Sequence, residues 1–506
     1  MNKTKNRRFF SDGGAGSSAR RCTTLASVLF GLSTSPAHAD LSQLEFSNAL
    51  EAKAATAVQA TYNSLLGACT DTQQTASTTC SGSTFNVWKN VRELVHTANE
   101  LTGQSGSTAF SLGLNQEQLG FALRWNAAEE YSSQGSMSGG FIGSQLNGVS
   151  TRIAALRYGA TGFSFNGMDD EDVLVAQRAY ANRMSGGGAS ADQGYTWSSW
   201  GGFLNGSYTK GNKDATVYED AFDADGKDIN GGVDYRFDNH WVAGLVFGFQ
   251  RQKLVFDSEK SITQGDVKMD GFSITPFALY QSDTWYFSGS LGYQRMQFDT
   301  TRHIQYPSLN PQVASVDTTA ESSNDANALT ASLTSGYSLP LNASFSLEPY
   351  LTADYRHIRI DGFTEKDLLN DGFNFVVGTQ TINSLELTPA LKLRYIIASR
   401  VGVFVPYLDI QLHNQLDDGS HSIDATYEGA EQSVSAASTF VIPTDKLDKS
   451  YEIYTVGFST VLRGARQTTA DSAASGGIQA FVNYRTIQSL NNYHQYTVSA
   501  GLRYEF

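Results

Sequence analysis

The end of the chain, from Tyr496 to Phe506, alternates residue by residue between apolar and polar side chains. Because the side chains of a β-strand point alternately to opposite faces, this pattern predicts a strand with one apolar and one polar face. The apolar face carries Tyr496, Val498, Ala500, Leu502, Tyr504 and Phe506. A strand of a soluble β-sandwich shows the same alternation, so the pattern has to recur before it distinguishes one fold from another.

The same alternation does recur upstream, in about twelve stretches that begin at residue 198. They span residues 198–210, 227–237, 240–256, 266–281, 284–304, 325–339, 343–361, 382–398, 401–416, 450–463, 476–490 and 493–506. In the stretch 382–398, Leu385 and Leu391 share one face, whereas Glu386 and Lys392 share the other. Burying unpaired charges of this kind in a packed soluble core is costly, so the polar face favours a wet interior.

The connections between these stretches largely alternate between tight turns and long polar loops. Residues 238–239, 282–283, 340–341 and 399–400 form the tight turns, residues 211–226, 305–324, 362–381 and 417–449 form the long loops, and residues 464–475 and 491–492 break the rule. Short turns on one rim, long loops on the other and an even number of strands are typical of a bacterial outer-membrane barrel. The sequence therefore predicts an all-β transmembrane barrel of about twelve antiparallel strands, with a small α-helical region before it.

The composition is compatible with such a barrel and excludes other classes. The mean hydropathy of -0.29 excludes a helical membrane protein, which needs runs of about 20 apolar residues, whereas a barrel shows lipid only its alternate residues. The net charge of -14 argues against nucleic acid as a partner, because no basic stripe is available to neutralise phosphates. Trp241 and Trp285 each open a strand after a tight turn, and we expect them in an aromatic girdle at the periplasmic interface.

The N-terminus, residues 1–39, carries the pattern of a secretory signal peptide. A basic, polar start is followed by the short apolar run Thr23–Leu32, and Ala37 and Ala39 form a small-x-small cleavage site. We therefore expect export through the Sec machinery and cleavage before Asp40.

Residues 40–188 show helical periodicity in the segments 41–66, 85–101, 114–133 and 138–158. A Gly- and Ser-rich run between residues 184 and 197 predicts a linker, so we place a helical passenger, pore-helix and linker region at 40–188 and the barrel domain at 195–506. Cys69 and Cys80 are the two cysteines beyond the predicted signal peptide, and in an exported chain we expect them to form one local disulfide.

The order of these parts resembles the autotransporters of Gram-negative bacteria, which use type V secretion. The motifs that carry the resemblance are WGGFLNGSYTKGN at the first strand, GGVDYRFDNHWVAGLVFGF over the second and third, VFVPYLDIQLHNQLDD in the ninth and VSAGLRYEF at the end. The resemblance implies an outer-membrane barrel with both ends in the periplasm, a helix in the pore and a passenger displayed outside the cell. It also implies that the chain meets outer-membrane lipid and the barrel-assembly machinery, which would read Leu502, Tyr504 and Phe506 as its signal. We expect the barrel to be monomeric.

Charged residues on the polar faces of the strands are expected to line the barrel lumen. They are Arg236, Glu348, Asp354, Arg356, Glu386, Lys392, Arg394, Asp409, Glu452, Arg485, Arg503 and Glu505. We expect one helix, either Ser138–Tyr158 or Asp170–Arg183, to occupy the pore and to be held by these charges. The alternative is that the charges pair across neighbouring strands.

The helical region lacks the strand repeats of most autotransporter passengers, and it has no G-D-S-L block, G-x-S-x-G elbow or H-E-x-x-H motif. His96 near Glu93 and Glu100, and His413 near Asp409, are suggestive groupings, but neither completes a catalytic constellation. We therefore predict no enzymatic activity, cofactor or metal site, and the binding partner of the passenger cannot be inferred. Two alternatives stay open: a porin or channel with an N-terminal periplasmic or luminal plug, and a surface-displayed enzyme.

Overall fold

The structure is a computed structural model that describes residues 40–46, 48–103, 106–157, 200–238, 240–257, 262–282, 284–399, 402–417, 422–431, 439–445, 448–463 and 478–505. Several predictions fall outside this part of the chain: the signal peptide with Ala37 and Ala39, the linker, the second candidate pore helix at 170–183, and Phe506. They stay predictions.

In the described part of the chain, four α-helices precede the barrel: α1 Ala49–Leu65, α2 Ser83–Thr102, α3 Gln116–Trp125 and α4 Ser132–Arg157. Short 3-10 helices occupy Leu41–Gln43 and Glu129–Tyr131. The Asn48 side chain caps α1, and a capping box between Asn115 and Gln118 starts α3, so amides of the first turns gain hydrogen-bond partners. Of the described helices, none is long and apolar enough to cross a membrane.

The helix expected over residues 114–133 is interrupted. The last residue of α3 is Trp125 and the first of α4 is Ser132. Between them Ala128 has a φ of 52°, a left-handed conformation that a right-handed helix cannot contain. The helix α4 begins after this residue and runs without a break from Ser132 to Arg157, the last described residue of the segment expected at 138–158.

Twelve long strands form the barrel. They are β1 Trp200–Lys213, β2 Phe222–Arg236, β3 Trp241–Phe256, β4 Gln264–Gln281, β5 Trp285–Tyr306, β6 Val316–Tyr337, β7 Phe345–Ile360, β8 Gln380–Tyr395, β9 Gly402–Gln415, β10 Ser450–Arg463, β11 Ile478–Gln488 and β12 Tyr493–Glu505. Each pairs antiparallel with its sequence neighbours, and β12 pairs with β1 along its whole length to close the ring. The predicted fold class is confirmed.

The polar segment 305–324, expected to be a loop, is largely strand. β5 and β6 stay paired as far as Tyr306 and Val316, and β2 likewise begins earlier than expected, at Phe222. Above the lipid, a strand needs no apolar outer face, because its backbone hydrogen bonds come from the neighbouring strand and its side chains meet water. The alternation that marks the membrane-spanning part therefore ends before the strand does.

Short strands in two of the long loops form a second sheet, which we call the loop sheet: Phe363–Thr364, Phe375–Val377, Ser422–Tyr427 and Phe440–Pro443. We expected polar loops here. The segments are too short to show a period in the sequence, yet their aromatic residues pack together. The ring of Phe375 lies 4.7 Å from that of Tyr427 and 5.1 Å from that of Phe440.

The helices α1 to α3 share one buried hydrophobic cluster with the loop sheet and β5, and we call residues 40–131 the helical cap. Tyr62 and Trp88 of the cap belong to the same buried cluster as Phe375 and Tyr427 of the loop sheet. That cluster also includes Tyr306, the last residue of β5. The cap and the long-loop rim of the barrel therefore share one hydrophobic core.

Candidate functional site: the helix-threaded lumen

Helix α4 passes through the barrel from one rim to the other. Near its start, Gln134 donates hydrogen bonds to Thr300 and Asn324, which lie toward the long-loop ends of β5 and β6. At its end, Arg157 bonds Glu348 at 2.6 Å and lies 3.3 Å from the ring centre of Tyr286, both near the short turns. Because β1 also begins at the short-turn rim, the cap and the start of β1 lie at opposite ends of the barrel.

The middle of α4 is fixed by close contacts with β2, β3 and β4. The Ser144 hydroxyl donates to Asp228 at 3.0 Å, and Ser273 donates to the side-chain oxygen of Gln145 at 2.7 Å. Gly271 lets the ring of Phe141 approach the wall, since a Cβ at that position would lie 2.8 Å from the ring. The helix is therefore packed against one side of the lumen.

Ion pairs hold the last turns of α4. Arg152 bonds Asp234 of β2, and its guanidinium lies 4.7 Å from the ring centre of Phe203. Arg157 shares Glu348 with Arg394 of β8, at 2.6 and 2.8 Å. The helix in the pore is thus α4, which contains most of the first candidate segment, the one expected to begin at Ser138. Among the residues that bond it, Glu348 belongs to the predicted luminal charges, whereas Asp228 and Asp234 do not.

Most of the predicted luminal residues lie on inward faces. Arg356 bonds Glu386 at 3.2 Å, Lys392 bonds Asp409 at 3.1 Å, and both carboxylates are buried. The remaining inward-facing members of the set, by strand alternation, are Arg236, Glu348, Asp354, Arg394, Arg485 and Arg503. Of Glu505 only the backbone is described, as the end of β12. Cross-strand pairs thus account for part of the charge set, and α4 bonds one further member, Glu348.

Glu452 does not face the lumen. It alternates in phase with Val456 and Phe458, whose side chains are 59% and 37% exposed on the outer surface of β10. The Tyr454 hydroxyl, on the same face, donates to Glu452 at 2.7 Å. A carboxylate can face outward here because β10 starts at the long-loop rim, beyond the apolar band that meets lipid.

The histidines meet partners other than those suggested by the sequence. His413 contacts Glu386 at 2.9 Å and Gln411 at 3.1 Å, whereas Asp409 accepts from Tyr350 at 2.8 Å. The network is a buried set of cross-strand bonds. Among the residues that the structure describes, no group of three or more His, Cys, Asp or Glu side chains could hold a metal ion.

In the cap, His96 contacts Asp71 at 3.4 Å and accepts a hydrogen bond from the Phe110 amide at 3.2 Å. Its partners are thus neither Glu93 nor Glu100. Asp71 lies in the loop closed by a disulfide between Cys69 and Cys80, and it also accepts from the Tyr62 hydroxyl at 2.5 Å. Burial and this hydrogen bond raise the pKa of Tyr62.

A cluster of fully buried polar side chains joins the cap to the barrel rim, and no pattern in the sequence predicts it. Arg302 of β5 donates to Glu365 at 2.8 and 2.7 Å, and both side chains are 0% exposed. The Tyr131 hydroxyl donates to the same carboxylate at 2.5 Å. Residues 234 positions apart in the chain thus meet at this point.

Further carboxyl groups are buried beside this cluster. Arg124 contacts both Asp220 and Glu129, and the Asp220 amide donates to Glu129 at 2.7 Å. Burial is the main reason that the pKa of Glu129 lies well above its usual range, and the neighbouring carboxylate of Asp220 raises it further. Burial raises the pKa of Glu130 to about 8, so this carboxyl is mostly protonated at neutral pH.

The aromatic residues predicted at the interface lie on the outer surface at the short-turn rim. Trp241 and Trp285 are 48% and 49% exposed, and their rings pack on Tyr280 and Tyr337 at 5.0 and 4.8 Å. At the end of β12, Leu502 and Tyr504 are exposed on the same outer face, at 57% and 44%. Their role in assembly stays a prediction.

Residues 200–473 match the family model described as autotransporter beta-domain. The chain is 27% identical over 214 residues to the esterase EstA of Pseudomonas aeruginosa and, equally, to that of Pseudomonas putida; each match covers 41% of this chain and 31% of the relative. The chain thus spans about a third of the length of these relatives.

Solved structures of similar shape include the translocator domain of the autotransporter NalP from Neisseria meningitidis, with 15% identity, a TM-score of 0.44, and coverage of 63% of this chain and 92% of that one. The transport unit of the autotransporter AIDA-I from Escherichia coli has 11% identity, a TM-score of 0.37, and coverage of 65% and 99%. The family match covers more than half of the chain, and members of this family are outer-membrane proteins of Gram-negative bacteria. The chain belongs to the autotransporter β-domain family.

Proposed function

We propose that the barrel anchors the chain in the outer membrane and holds the helical cap permanently at the cell surface. The observation that carries this proposal is the path of α4, which enters the lumen at the long-loop rim and ends at the short-turn rim. Long loops of outer-membrane barrels lie outside the cell and short turns in the periplasm. Residues 40–131 would therefore be the displayed passenger.

Retention of the cap follows from how it is attached. Its buried residues share a hydrophobic core with the loop sheet, and Tyr131 bonds the Arg302–Glu365 pair of the rim. Burial of this kind stabilises an interface by roughly 25 cal/mol per Å² of apolar surface removed from water. A cap that shares its core with the barrel loops gains this stabilisation only while attached, which favours display over release.

The path of α4 also favours this function over a porin with a periplasmic plug. A plug that entered from the periplasm would leave the preceding helices at the short-turn rim, whereas α1 to α3 share a buried cluster with the loop sheet and the long-loop end of β5. We infer the domain arrangement accordingly: a signal peptide at 1–39, a cap and pore helix within 40–188, and a barrel at 195–506. Sec export, the barrel-assembly machinery and outer-membrane lipid would be its partners, and the barrel would act as a monomer.

The cap is proposed to have no enzymatic activity. The EstA relatives are esterases, but the matched region is a third of their length, and the cap sequence has no nucleophile motif of the G-x-S-x-G or G-D-S-L kind. In the cap, His96 is buried and bonded to Asp71 and a backbone amide, which leaves it no access to substrate. What the cap binds is not specified by these contacts.

Surface labelling tests the proposal. Lys53, on the exposed side of α1, and Ala343, in the exposed turn between β6 and β7, can each be replaced by cysteine. Intact cells are treated with a polyethylene glycol maleimide too large to cross the outer membrane. We expect Lys53→Cys to react on intact cells and Ala343→Cys only after the outer membrane is opened. The reverse pattern would place the cap in the periplasm and contradict display.

A further inference from the structure

A cluster of basic side chains lies on the outer surface of β1 to β4, toward the long-loop rim. We call this cluster the basic patch. Its members alternate in phase with exposed apolar residues of the same strands, such as Phe249 on β3 and Phe272 on β4, so they point away from the lumen. They are Lys210, Lys227, Arg251, Lys253 and Lys268.

The basic patch begins where the apolar band of the barrel ends. On β3, Arg251 follows Trp241 by about ten residues, and on β1, Lys210 follows Trp200 by the same number. Ten residues of a strand extend about 33 Å, which a tilt of about 40° reduces to a height of about 25 Å. This is the height of the apolar band in an outer-membrane barrel, so both cations lie at the level of the lipid head groups on the long-loop side.

The basic patch places like charges directly opposite each other in the sheet. Lys227 of β2 pairs with Arg251 of β3, and Lys253 of β3 pairs with Lys268 of β4. Like charges at directly opposite positions of one face are destabilising. An anion bound from outside the protein would remove this cost.

Carboxylates of the protein balance only part of the basic patch. Asp270 bonds Arg251 at 2.7 Å, and Asp266 lies 3.0 and 3.5 Å from the ammonium groups of Lys253 and Lys268. These ion pairs are on β3 and β4, so they leave the β1 and β2 side of the patch without a carboxylate contact of its own.

On that side, Lys210 and Lys227 are exposed, and no carboxylate of the described residues lies within 4 Å of either ammonium group. Asp225 stands opposite Lys210 in the sheet, and Asp223 follows on the same face of β2, farther from the lipid. The two lysines are therefore the members of the patch most available to an external anion.

We propose that the basic patch binds the phosphate groups of the phosphorylated glycolipid of the outer leaflet. Ammonium and guanidinium groups bind phosphate oxygens, and basic clusters beside a membrane attract anionic head groups. Directly below the patch, Ile229, Phe249 and Phe272 are exposed, and the acyl chains of the same lipid would pack on them. The inference rests on the proposed function, because only that orientation places the patch in the outer leaflet.

Native mass spectrometry of the full chain, purified in detergent after export, tests the site. The chain is titrated with diphosphoryl lipid A, with monophosphoryl lipid A and with phosphatidylcholine, and the dissociation constant of each lipid is measured. We expect the diphosphoryl lipid to bind most tightly and phosphatidylcholine most weakly. Lys227→Gln should weaken binding of the diphosphoryl lipid about fivefold, and Lys210→Gln with Lys227→Gln about thirtyfold, whereas Lys227→Arg should keep the affinity.

Arg359→Gln is the matched control, because Arg359 is an exposed cation on the outer face of β7, outside the basic patch, where it bonds Asp361 at 3.3 Å. It should change the affinity less than twofold. Equal affinity of the unaltered chain for the three lipids, unchanged affinity after both lysines are replaced, or an equal loss with Arg359→Gln would overturn the proposal. Binding in detergent does not depend on which side of the membrane holds the cap, so a negative result would leave surface display standing.

Discussion

The ion pairs at the two ends of the pore helix differ in the number of partners that a buried carboxylate has. At the long-loop rim, the residues just before α4 enter a dry junction in which Arg302, Glu365 and Tyr131 are fully buried. In the short-turn half, Arg152 and Arg157 also bond buried carboxylates, but there Glu348 has a second guanidinium partner, Arg394. Among the described residues, the buried carboxylate thus bonds one arginine at the long-loop end and two at the short-turn end.

This difference predicts which end of the pore helix is sensitive to substitution and which end tolerates it. Removing the single cationic partner of a buried carboxylate leaves an uncompensated charge, whereas a carboxylate with two cationic partners keeps one of them. At the short-turn end, Glu348 has two guanidinium partners and can lose one. The cap is therefore fixed at its junction with the rim, while the lower part of α4 tolerates substitution.

The largest expected effect concerns the apolar core of the cap. Trp88 is fully buried, with its ring stacked 5.0 Å from that of Tyr62. Trp88→Ala should lower the free energy of unfolding of the cap by about 4 kcal/mol, because it removes a large side chain from a packed core. Native-state hydrogen exchange of the solubilised chain would measure it. Phe121→Ala, at a position 40% exposed on α3, is the matched control and should cost less than about 1 kcal/mol.

The ion pair with one arginine and the carboxylate with two arginines can be compared directly. Arg302→Met should destabilise the cap by about 3 kcal/mol, because it leaves Glu365 buried without its cation. Arg157→Met should cost about 1 kcal/mol or less, since Arg394 still bonds Glu348. The same hydrogen-exchange experiment reports both values. Equal costs for the two substitutions would remove the distinction between the two ends.

Attachment of the cap should also depend on pH. Burial raises the pKa of Glu130 to about 8 in the folded chain, so the folded state binds more protons than the unfolded state between the ordinary glutamate pKa and about 8. The stability of the cap should therefore fall as pH rises through this window, by at most about 1.4 kcal/mol per pH unit for each retained proton, and level off above it.

Glu130→Gln should remove part of this pH dependence and stabilise the cap at alkaline pH. Glu117→Gln, on the exposed first turn of α3, should leave the dependence unchanged. Protease resistance of the cap, measured from pH 5 to pH 9, distinguishes the two. A cap that becomes more stable as the pH rises would show that these carboxyls are ionised in the folded chain.

The barrel was predictable because lipid imposes a period of two that each strand shows by itself. Leu385 and Leu391 on the outer face of β8, with Glu386 and Lys392 inward, are placed by alternation alone. Glu452 was misplaced because its charge suggested the lumen, although it alternates in phase with the outward-facing Val456 and Phe458; beyond the apolar band, a charged side chain can face outward.

The junction could not be predicted, since its members are distant in sequence. Arg302 meets Glu365 across 63 residues and Arg124 meets Asp220 across 96, and no periodic pattern links such positions. The loop sheet was missed for a related reason, because a strand of two or three residues has no period to detect. The sequence of α4 is rich in small residues, so its apolar pattern is weak. The structure explains this composition, because small residues such as Gly148 let the helix approach the barrel wall.

The position of α4 is the central claim, and a disulfide across the lumen tests it most directly. A Cβ at Gly148 would lie 3.7 Å from the Cβ of Asn230, within the range that a disulfide requires. In the exported chain, Gly148→Cys with Asn230→Cys should form a cross-link that changes electrophoretic mobility under non-reducing conditions. Gly143→Cys with Asn230→Cys, in which position 143 faces open space, should form none. Absence of the first cross-link in a correctly assembled barrel would show that α4 does not thread the lumen.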